Sequence, residues 1–173
     1  MVKLAEGMSR LGTETAFEVL ARAAQLEAEG RDIINLGIGQ PDFKTPEHIV
    51  EAAIKALRDG HHGYTPAQGI LPLREAVSRD LNRRHGVDVS PRNVVIMPGG
   101  KPTMFFAVLM FGGPGTEIMY PDPGFPIYRS MIEYIGSKPV PIALREENGF
   151  AFSAEEVLAQ ITPATRLIII NTP

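Results

Sequence analysis

The sequence predicts an α/β protein, with a mostly parallel sheet and flanking helices preceded by a helical amino-terminal segment. Beyond Asn93, short apolar runs alternate with helical patterns. The runs are residues 94–97, 116–120, 138–144 and 166–171. Such runs are typical of strands that are buried on both faces. Their alternation with helices is typical of a parallel sheet with right-handed crossovers.

The first two helices are predicted from their start and stop signals. Thr15 and Glu18 have the spacing of a capping box, and Gly30 is expected to stop the helix that they begin. Pro46 is predicted to open the second helix and Gly60 to stop it.

A third helix is predicted to end near Gly86. Its apolar residues share one face and are expected to point inward: Leu73, Ala76, Val77 and Leu81. Three later helices are predicted between the strands, at residues 101–111, 125–135 and 153–161. Ser153 and Glu156 open the last of them as a second capping box.

Composition excludes several classes of function. The chain has 173 residues, of which 44% are hydrophobic, with a net charge of −3 and no cysteine. The absence of cysteine rules out disulfides, thiolate metal sites and cysteine nucleophiles, and it fits a cytoplasmic protein. Because like charges are not clustered and no 18 apolar residues run together, neither a nucleic-acid surface nor a membrane segment is expected.

A glycine pair and a lysine lie where an apolar run gives way to a helical pattern, in MPGGKPTMFF at residues 97–106. Gly99 and Gly100 would let a phosphate approach the backbone at a helix N-terminus, where N–H groups and the helix dipole favour anions. A plain turn between strand and helix explains the same residues. A Walker A loop is excluded, because Val95 occupies the place of its first glycine and Pro102 follows the lysine.

A proline-rich segment, YPDPGFPIYRSMIEY at residues 120–134, follows the next apolar run. Its prolines around Asp122 and Gly124 predict a stiff loop at the carboxyl end of a strand, where open α/β sheets collect their ligands. The loop presents Phe125 and Tyr128. A ring held there either stacks on a flat heterocycle or fills the core.

Five segments resemble the class I/II aminotransferases, fold type I enzymes that use pyridoxal 5′-phosphate. They are INLGIGQPDFKTPEHIVEAAIKAL, GYTPAQGILPLREAV, MPGGKPTMFF, YPDPGFPIY and LIIINTP, in the order and spacing of that family. The resemblance extends from about residue 30 to the last residue. In its general features the sequence is similar to aspartate and aromatic aminotransferases.

The resemblance also implies a domain organisation. Residues 1–45 are expected to form an amino-terminal arm and a small-domain segment. Residues 46–173 are expected to form an incomplete large domain that is truncated after a core strand, so that the chain would be the front portion of a longer protein.

The phosphate-binding role is implied for Gly99, Gly100 and Lys101, which match the family loop that binds mainly through main-chain N–H groups. Family members often have Gln or Glu followed by Ala where this chain has Pro102 and Thr103. Proline supplies no N–H at that position.

Three further roles follow from the resemblance. Phe125 matches the aromatic residue that stacks on the pyridine ring of the cofactor. Tyr64 matches the tyrosine that reaches the cofactor phosphate of the other subunit, which implies a homodimer. Gly39 matches the glycine whose N–H binds the α-carboxylate of the substrate.

No catalytic residue is assigned to this chain, because the family's cofactor-binding lysine, its acidic residue at the pyridine nitrogen and its carboxylate-binding arginine lie beyond the matched segments. None of the lysines stands at the nucleophile position: Lys3, Lys44, Lys55, Lys101 and Lys138. No metal site is expected, because the histidines lack partners at ligand spacing: His48, His61, His62 and His85.

The resemblance implies the transfer of an amino group between an L-amino acid and a 2-oxo acid by the intact protein, whereas this chain alone is expected to be inactive. Two alternatives stay open. One is a non-catalytic remnant or subunit that binds a phosphate ligand or a partner chain. The other is a lyase of the same fold type, since relatives carry out elimination from the same covalent state.

Overall fold

The computed structural model describes residues 3–12, 16–37 and 39–172. It divides into two compact units. The first unit, called the sheet unit here, consists of Met1–Ile38 and Lys101–Pro173. The second, called the helical unit, consists of Gly39–Gly100. No helix in the described part of the chain is long and apolar enough to cross a membrane.

Six α-helices and three strands make up the regular structure of the described residues. The helices are α1 Ala16–Ala28, α2 Glu47–Arg58, α3 Leu71–His85, α4 Gly100–Phe111, α5 Ile127–Tyr134 and α6 Ala154–Leu158. The strands are β1 Glu117–Asp122, β2 Lys138–Ala143 and β3 Thr165–Ile168. Short 3-10 turns lie at Glu6–Arg10, Pro91–Asn93 and Glu146–Asn148.

The strands form one parallel sheet in the order β2-β1-β3, which confirms the predicted α/β class. β2 lies at an edge of this three-stranded sheet and contains two prolines. The N–H groups of Lys138 and Leu144 donate to carbonyls of the β1 side at 2.9 and 2.8 Å. Since strand residues alternate in direction, Pro139 and Pro141 lie at the positions whose N–H would face the other edge, where no donor is needed.

The core of the sheet unit has two layers, one on each face of β1. On one face, Ile118 and Tyr120 pack with Val108 of α4 and with Tyr128 and Ile132 of α5. The opposite face carries a second cluster. Its buried members are Met119, Ile142 and Val157, the last from α6. Helices therefore cover both faces of the sheet, as the apolar runs predict.

Most of the predicted helix boundaries agree with the structure. Gly30 and Gly60 adopt φ +86° just beyond α1 and α2, in the left-handed region that glycine tolerates. Pro46 is the N-cap of α2 and not its first residue. At α6 the predicted capping box is present, since Ser153 and Glu156 exchange hydrogen bonds of 3.1 and 3.2 Å. The other predicted box depends on Thr15, which lies outside the described residues.

The strand predicted at residues 94–97 is wrong, because this segment is irregular. An apolar run becomes a strand only when a neighbouring backbone pairs with it. Here the N–H of Ile96 donates to the carbonyl of Gln68, in the loop before α3, at 3.0 Å. Gly69 lies so close that a Cβ there would be 2.6 Å from Cγ1 of Ile96.

The predicted inward face of α3 is also partly wrong. Val77 and Leu81 are half-buried, but Leu73 and Ala76 are exposed. The buried residue of the helix is Ser78, whose hydroxyl donates to the carbonyl of Val89. The helical unit thus leaves apolar side chains on its surface.

Candidate active site

Helix α4 begins at the glycine pair of the MPGGKPTMFF segment. Gly99 adopts φ +92°, and Gly100 is the first residue of the helix. A Cβ on either glycine would meet no atom within 4 Å, so both glycines have open space on their Cβ side. The N–H groups of a first helical turn have no acceptor within the helix and carry the positive end of its dipole. The start of α4 could therefore hold an anion.

Pro102 is the third residue of α4 and is half-buried. A first-turn proline removes an N–H that no helical carbonyl would have accepted, so it leaves the helix intact. It also removes one donor from the start of the helix. An anion bound there would use the remaining main-chain donors.

Phe125 lies in the loop between β1 and α5, just before Pro126, the N-cap of α5, and is half-buried. It packs against the core cluster around Ile118, and its ring meets the ring of Tyr128 edge-on, with 5.8 Å between centroids and 83° between planes. The Nζ of Lys101 lies 5.7 Å from the centroid of the Phe125 ring. The Phe125 ring therefore contributes to the core and keeps an accessible part, and its stacking on a heterocycle stays a prediction.

A cavity of about 320 Å³ opens beside this loop. Its lining residues are Tyr120, Asp122, Pro123, Gly124, Phe125, Pro126 and Arg129. Burial raises the pKa of the Tyr120 hydroxyl above its ordinary value, and the carboxylate of Asp122 raises it further. A tyrosine is protonated at neutral pH even without this shift, so Tyr120 lines the cavity as a neutral residue.

The loop packs so closely at Gly124 that a side chain has no room there. A Cβ at this position would lie 2.2 Å from the carbonyl oxygen of Pro121, which is backbone and cannot rotate away. We expect Gly124→Ala to lower the free energy of unfolding by about 1–3 kcal/mol, because the loop must shift to relieve the overlap. Urea denaturation of the two proteins measures this difference.

Gly113→Ala is the matched control, because a Cβ at Gly113 meets no atom within 4 Å. Equal stability of the Gly124 and Gly113 variants would contradict the role of close packing. Displacement of the loop also predicts that only the Gly124 variant changes the binding of a ligand to Phe125.

The other two predicted site residues lie in loops of the helical unit. Gly39 is exposed, and a Cβ there would meet no atom within 4 Å. Tyr64 lies between α2 and α3 and is fully exposed. The structure thus brings Lys101 together with Phe125 and sets Gly99 and Gly100 at the start of α4. The binding roles of Gly39 and Tyr64 stay predictions, as do those of Gly99, Gly100, Lys101 and Phe125.

Two of the other lysines have structural partners. Lys55 forms an ion pair with Asp59 one helical turn away. Lys138 forms an ion pair with Glu117 at 2.7 Å, and its hydrogen bond holds the pKa of that carboxyl below its usual value. Within residues 3–12, 16–37 and 39–172, no group of three or more His, Cys, Asp or Glu side chains is placed to hold a metal ion.

Comparison with known proteins decides the family. The model of the aminotransferase class I and II family matches residues 31–173. The chain belongs to this family. The match includes every residue proposed above for the phosphate, ring and carboxylate positions.

The chain is similar to aminotransferases over almost all of its length. It is 37% identical over 98% of its residues to a probable aspartate/prephenate aminotransferase of Aquifex aeolicus, of which it covers 43%. It is 42% identical over 90% of its residues to an aspartate aminotransferase of Pyrococcus horikoshii, of which it covers 39%. The chain therefore spans less than half the length of these relatives.

A solved structure shares the fold. The aspartate aminotransferase of Thermus thermophilus with maleate superposes on the whole chain with a TM-score of 0.92 and 34% identity, and the chain covers 45% of it. This agreement confirms the fold type I architecture that the resemblance implies.

Class I and II aminotransferases generally depend on pyridoxal 5′-phosphate, and the described residues fit two parts of that cofactor. The open start of α4 fits the phosphate, since main-chain donors and the helix dipole favour an anion. The accessible part of the Phe125 ring, with the Lys101 ammonium beside it, fits a flat anionic ring system.

Sequence reasoning missed two features of this candidate site. One is Tyr120, which the alternation of β1 places on the same face as Ile118 and hence below the Phe125 loop. The alternation of side chains along the predicted strand was the signal that could have indicated this position. The other is the contact between Gly124 and Pro121, which depends on how the loop folds back and has no signature in the residue types.

Proposed function

We propose that the protein carrying this chain is a pyridoxal 5′-phosphate-dependent aminotransferase that moves an amino group from an L-amino acid to a 2-oxo acid. The start of α4 carries the proposal, because an open glycine pair there precedes a lysine that lies over Phe125. The family match and the names of the relatives support the reaction class. Because those relatives are named for aspartate and prephenate, we propose L-aspartate as an amino donor.

The residues of this chain bind and orient the cofactor and the substrate, and each residue has a separate role. The N–H groups at Gly99 and Gly100 bind the phosphate and so fix one end of the cofactor. Phe125 packs on the cofactor ring and excludes water from that face. Gly39 donates its N–H to the substrate carboxylate. When bound, the cofactor draws electrons from the Cα of the amino acid, so that the Cα proton becomes acidic.

A second copy of the chain is the proposed partner. Helix α4 carries exposed apolar side chains, of which Phe106, Leu109 and Met110 lie on one face and Phe111 lies at the end of the helix. Tyr64 is fully exposed as well, as expected of a residue that acts across an interface. Exposed apolar patches of this kind are typical of surfaces that a protein partner covers. Sedimentation equilibrium of the full-length protein would detect a dimer.

Spectroscopy of the full-length protein tests the proposed reaction. Added pyridoxal 5′-phosphate should give a visible absorbance band on the protein, and L-aspartate should shift that band. With 2-oxoglutarate present, oxaloacetate should accumulate. A protein that gains no band has no cofactor site, and a band that L-aspartate and other amino acids leave unchanged would contradict the aminotransferase.

Phe125→Ala tests the ring position. We expect this variant to bind pyridoxal 5′-phosphate with about 1 kcal/mol less free energy, or roughly fivefold more weakly, because an aromatic contact is lost. Fluorescence titration measures the affinity. Phe150→Ala is the control, since Phe150 is exposed and lies between the turn Glu146–Asn148 and α6. Equal affinities of the two variants would leave Phe125 as core filling.

A further inference from the structure

The amino-terminal arm, defined here as residues 6–12, is bound to the carboxyl end of α5. The guanidinium of Arg10 donates from Nε to the carbonyl of Glu133 and from Nη2 to the carbonyl of Tyr134, both at 3.1 Å. Glu133 and Tyr134 are the last two residues of α5. The carbonyl of Glu133 also accepts from the N–H of Gly136 at 3.0 Å. The C-terminus of a helix carries the negative end of its dipole, so a cation there stabilises the helix.

The arm has a second anchor one helical turn earlier on α5. The N–H of Gly12 donates to Oγ of Ser130 at 2.9 Å, and the same hydroxyl contacts the carbonyl of Gly12 at 3.2 Å. Ahead of both anchors the chain also passes close to the helix end, since a Cβ on Gly7 would be 3.4 Å from Cε2 of Tyr134. Two polar anchors on one helix fix both its position and its rotation relative to the arm.

The other end of α5 holds Phe125. The N–H of Tyr128 donates to the carbonyl of Phe125 at 3.0 Å, and the two rings pack edge to face. Tyr128 and Ile132 are almost completely buried, and Phe125 packs against the same core cluster. A continuous series of contacts therefore joins Arg10 to Phe125 through a single short helix.

We propose that the amino-terminal arm positions Phe125 for its ligand, and that Arg10 is a positioning residue. Arg10 reaches neither the cofactor nor the substrate in this assignment and acts through α5 and Tyr128. The effect on cofactor binding rests on the proposed function, whereas the effect on α5 does not. The two effects are therefore measured separately.

Hydrogen exchange of the full-length protein without cofactor tests the effect of the arm on α5. Arg10→Ala should speed amide exchange in residues 127–136 by roughly threefold, the factor expected for losing a cation at a helix C-terminus. Ser130→Ala removes the other anchor and should do the same. Arg22→Ala is the matched control, because the hydrogen bond of Arg22 is local, to Gln25 in α1. Unchanged exchange in both the Arg10 and Ser130 variants would overturn the proposal.

A double-mutant cycle on the affinity for pyridoxal 5′-phosphate tests the effect of the arm on cofactor binding. Arg10→Ala should weaken binding by roughly threefold when Phe125 is present and should have no further effect in the Phe125→Ala background. Arg10→Lys keeps the charge but not the two-pronged contact, and should lie between Arg10→Ala and the unmodified protein. An equal loss in both backgrounds would show a general destabilisation and overturn the positioning role. If the unmodified protein binds no cofactor, the proposed function fails, and the exchange experiment still decides the role of the arm.

Discussion

Gly100→Val should weaken the binding of pyridoxal 5′-phosphate by about 10- to 100-fold, the cost of disturbing a hydrogen bond to a charged group. The valine side chain would occupy the open space in front of the first residue of α4, where the phosphate is proposed to approach the backbone. Stability should change by no more than about 0.5 kcal/mol, because a Cβ there meets no protein atom within 4 Å. Fluorescence titration and urea denaturation measure the two quantities.

Gly113→Val provides the comparison, since a Cβ at Gly113 also meets no atom within 4 Å and the residue lies beyond the other end of α4. Its cofactor affinity should equal that of the unmodified protein. If Gly100→Val binds the cofactor equally well, the start of α4 is a turn and not a phosphate site. If Gly100→Val lowers both the free energy of unfolding and the cofactor affinity, the weaker binding is a consequence of unfolding.

Ile118→Ala should lower the free energy of unfolding by about 2–5 kcal/mol, because the truncation leaves a cavity in a packed core. Ile118 has no exposed surface and lies in β1, the central strand of the sheet. It packs in the cluster that also holds Val108 of α4 and Ile132 of α5. Urea denaturation of the full-length protein, with spectroscopic detection, would measure the loss.

Ile34→Ala is the control for this substitution, because Ile34 is 86% exposed. Its free energy of unfolding should change by no more than about 0.5 kcal/mol. A loss below about 1 kcal/mol for Ile118→Ala would contradict the buried, central position of this residue. Ile118→Val, which removes one methylene group, should cost about 0.5–1.5 kcal/mol and so give a graded series.

Elements with strong local signals were predicted well. The three strands of the sheet, the stops at Gly30, Gly60 and Gly86, and the capping box of α6 all follow from residues that are close together in the chain. The segment at residues 94–97 has the same apolar composition as the strands but lacks a strand partner in the described part of the helical unit. Composition shows that a segment prefers burial, and only a neighbouring backbone makes it a strand.

Some features of the candidate site were likewise predictable from local motifs, whereas others depend on tertiary packing. The glycine pair at the start of α4 and the Phe125 loop were predicted from motifs, because their conformations depend on glycine and proline at fixed spacing. The contact between Lys101 and Phe125 was not predicted. The two residues are brought together by the packing of α4 and α5 on one face of the sheet, which motif spacing does not describe.

By itself, the sequence determined the α/β class, the family resemblance and the residues expected at the phosphate and ring of the cofactor. Only the tertiary structure decided that Gly124 has no room for a side chain, that Tyr120 lines the cavity and that Arg10 binds the end of α5. Arg10 and Glu133 are separated by 123 positions in the chain. Local propensity acts over a few residues, whereas contacts at such separation exist only after the sheet and its helices have packed together.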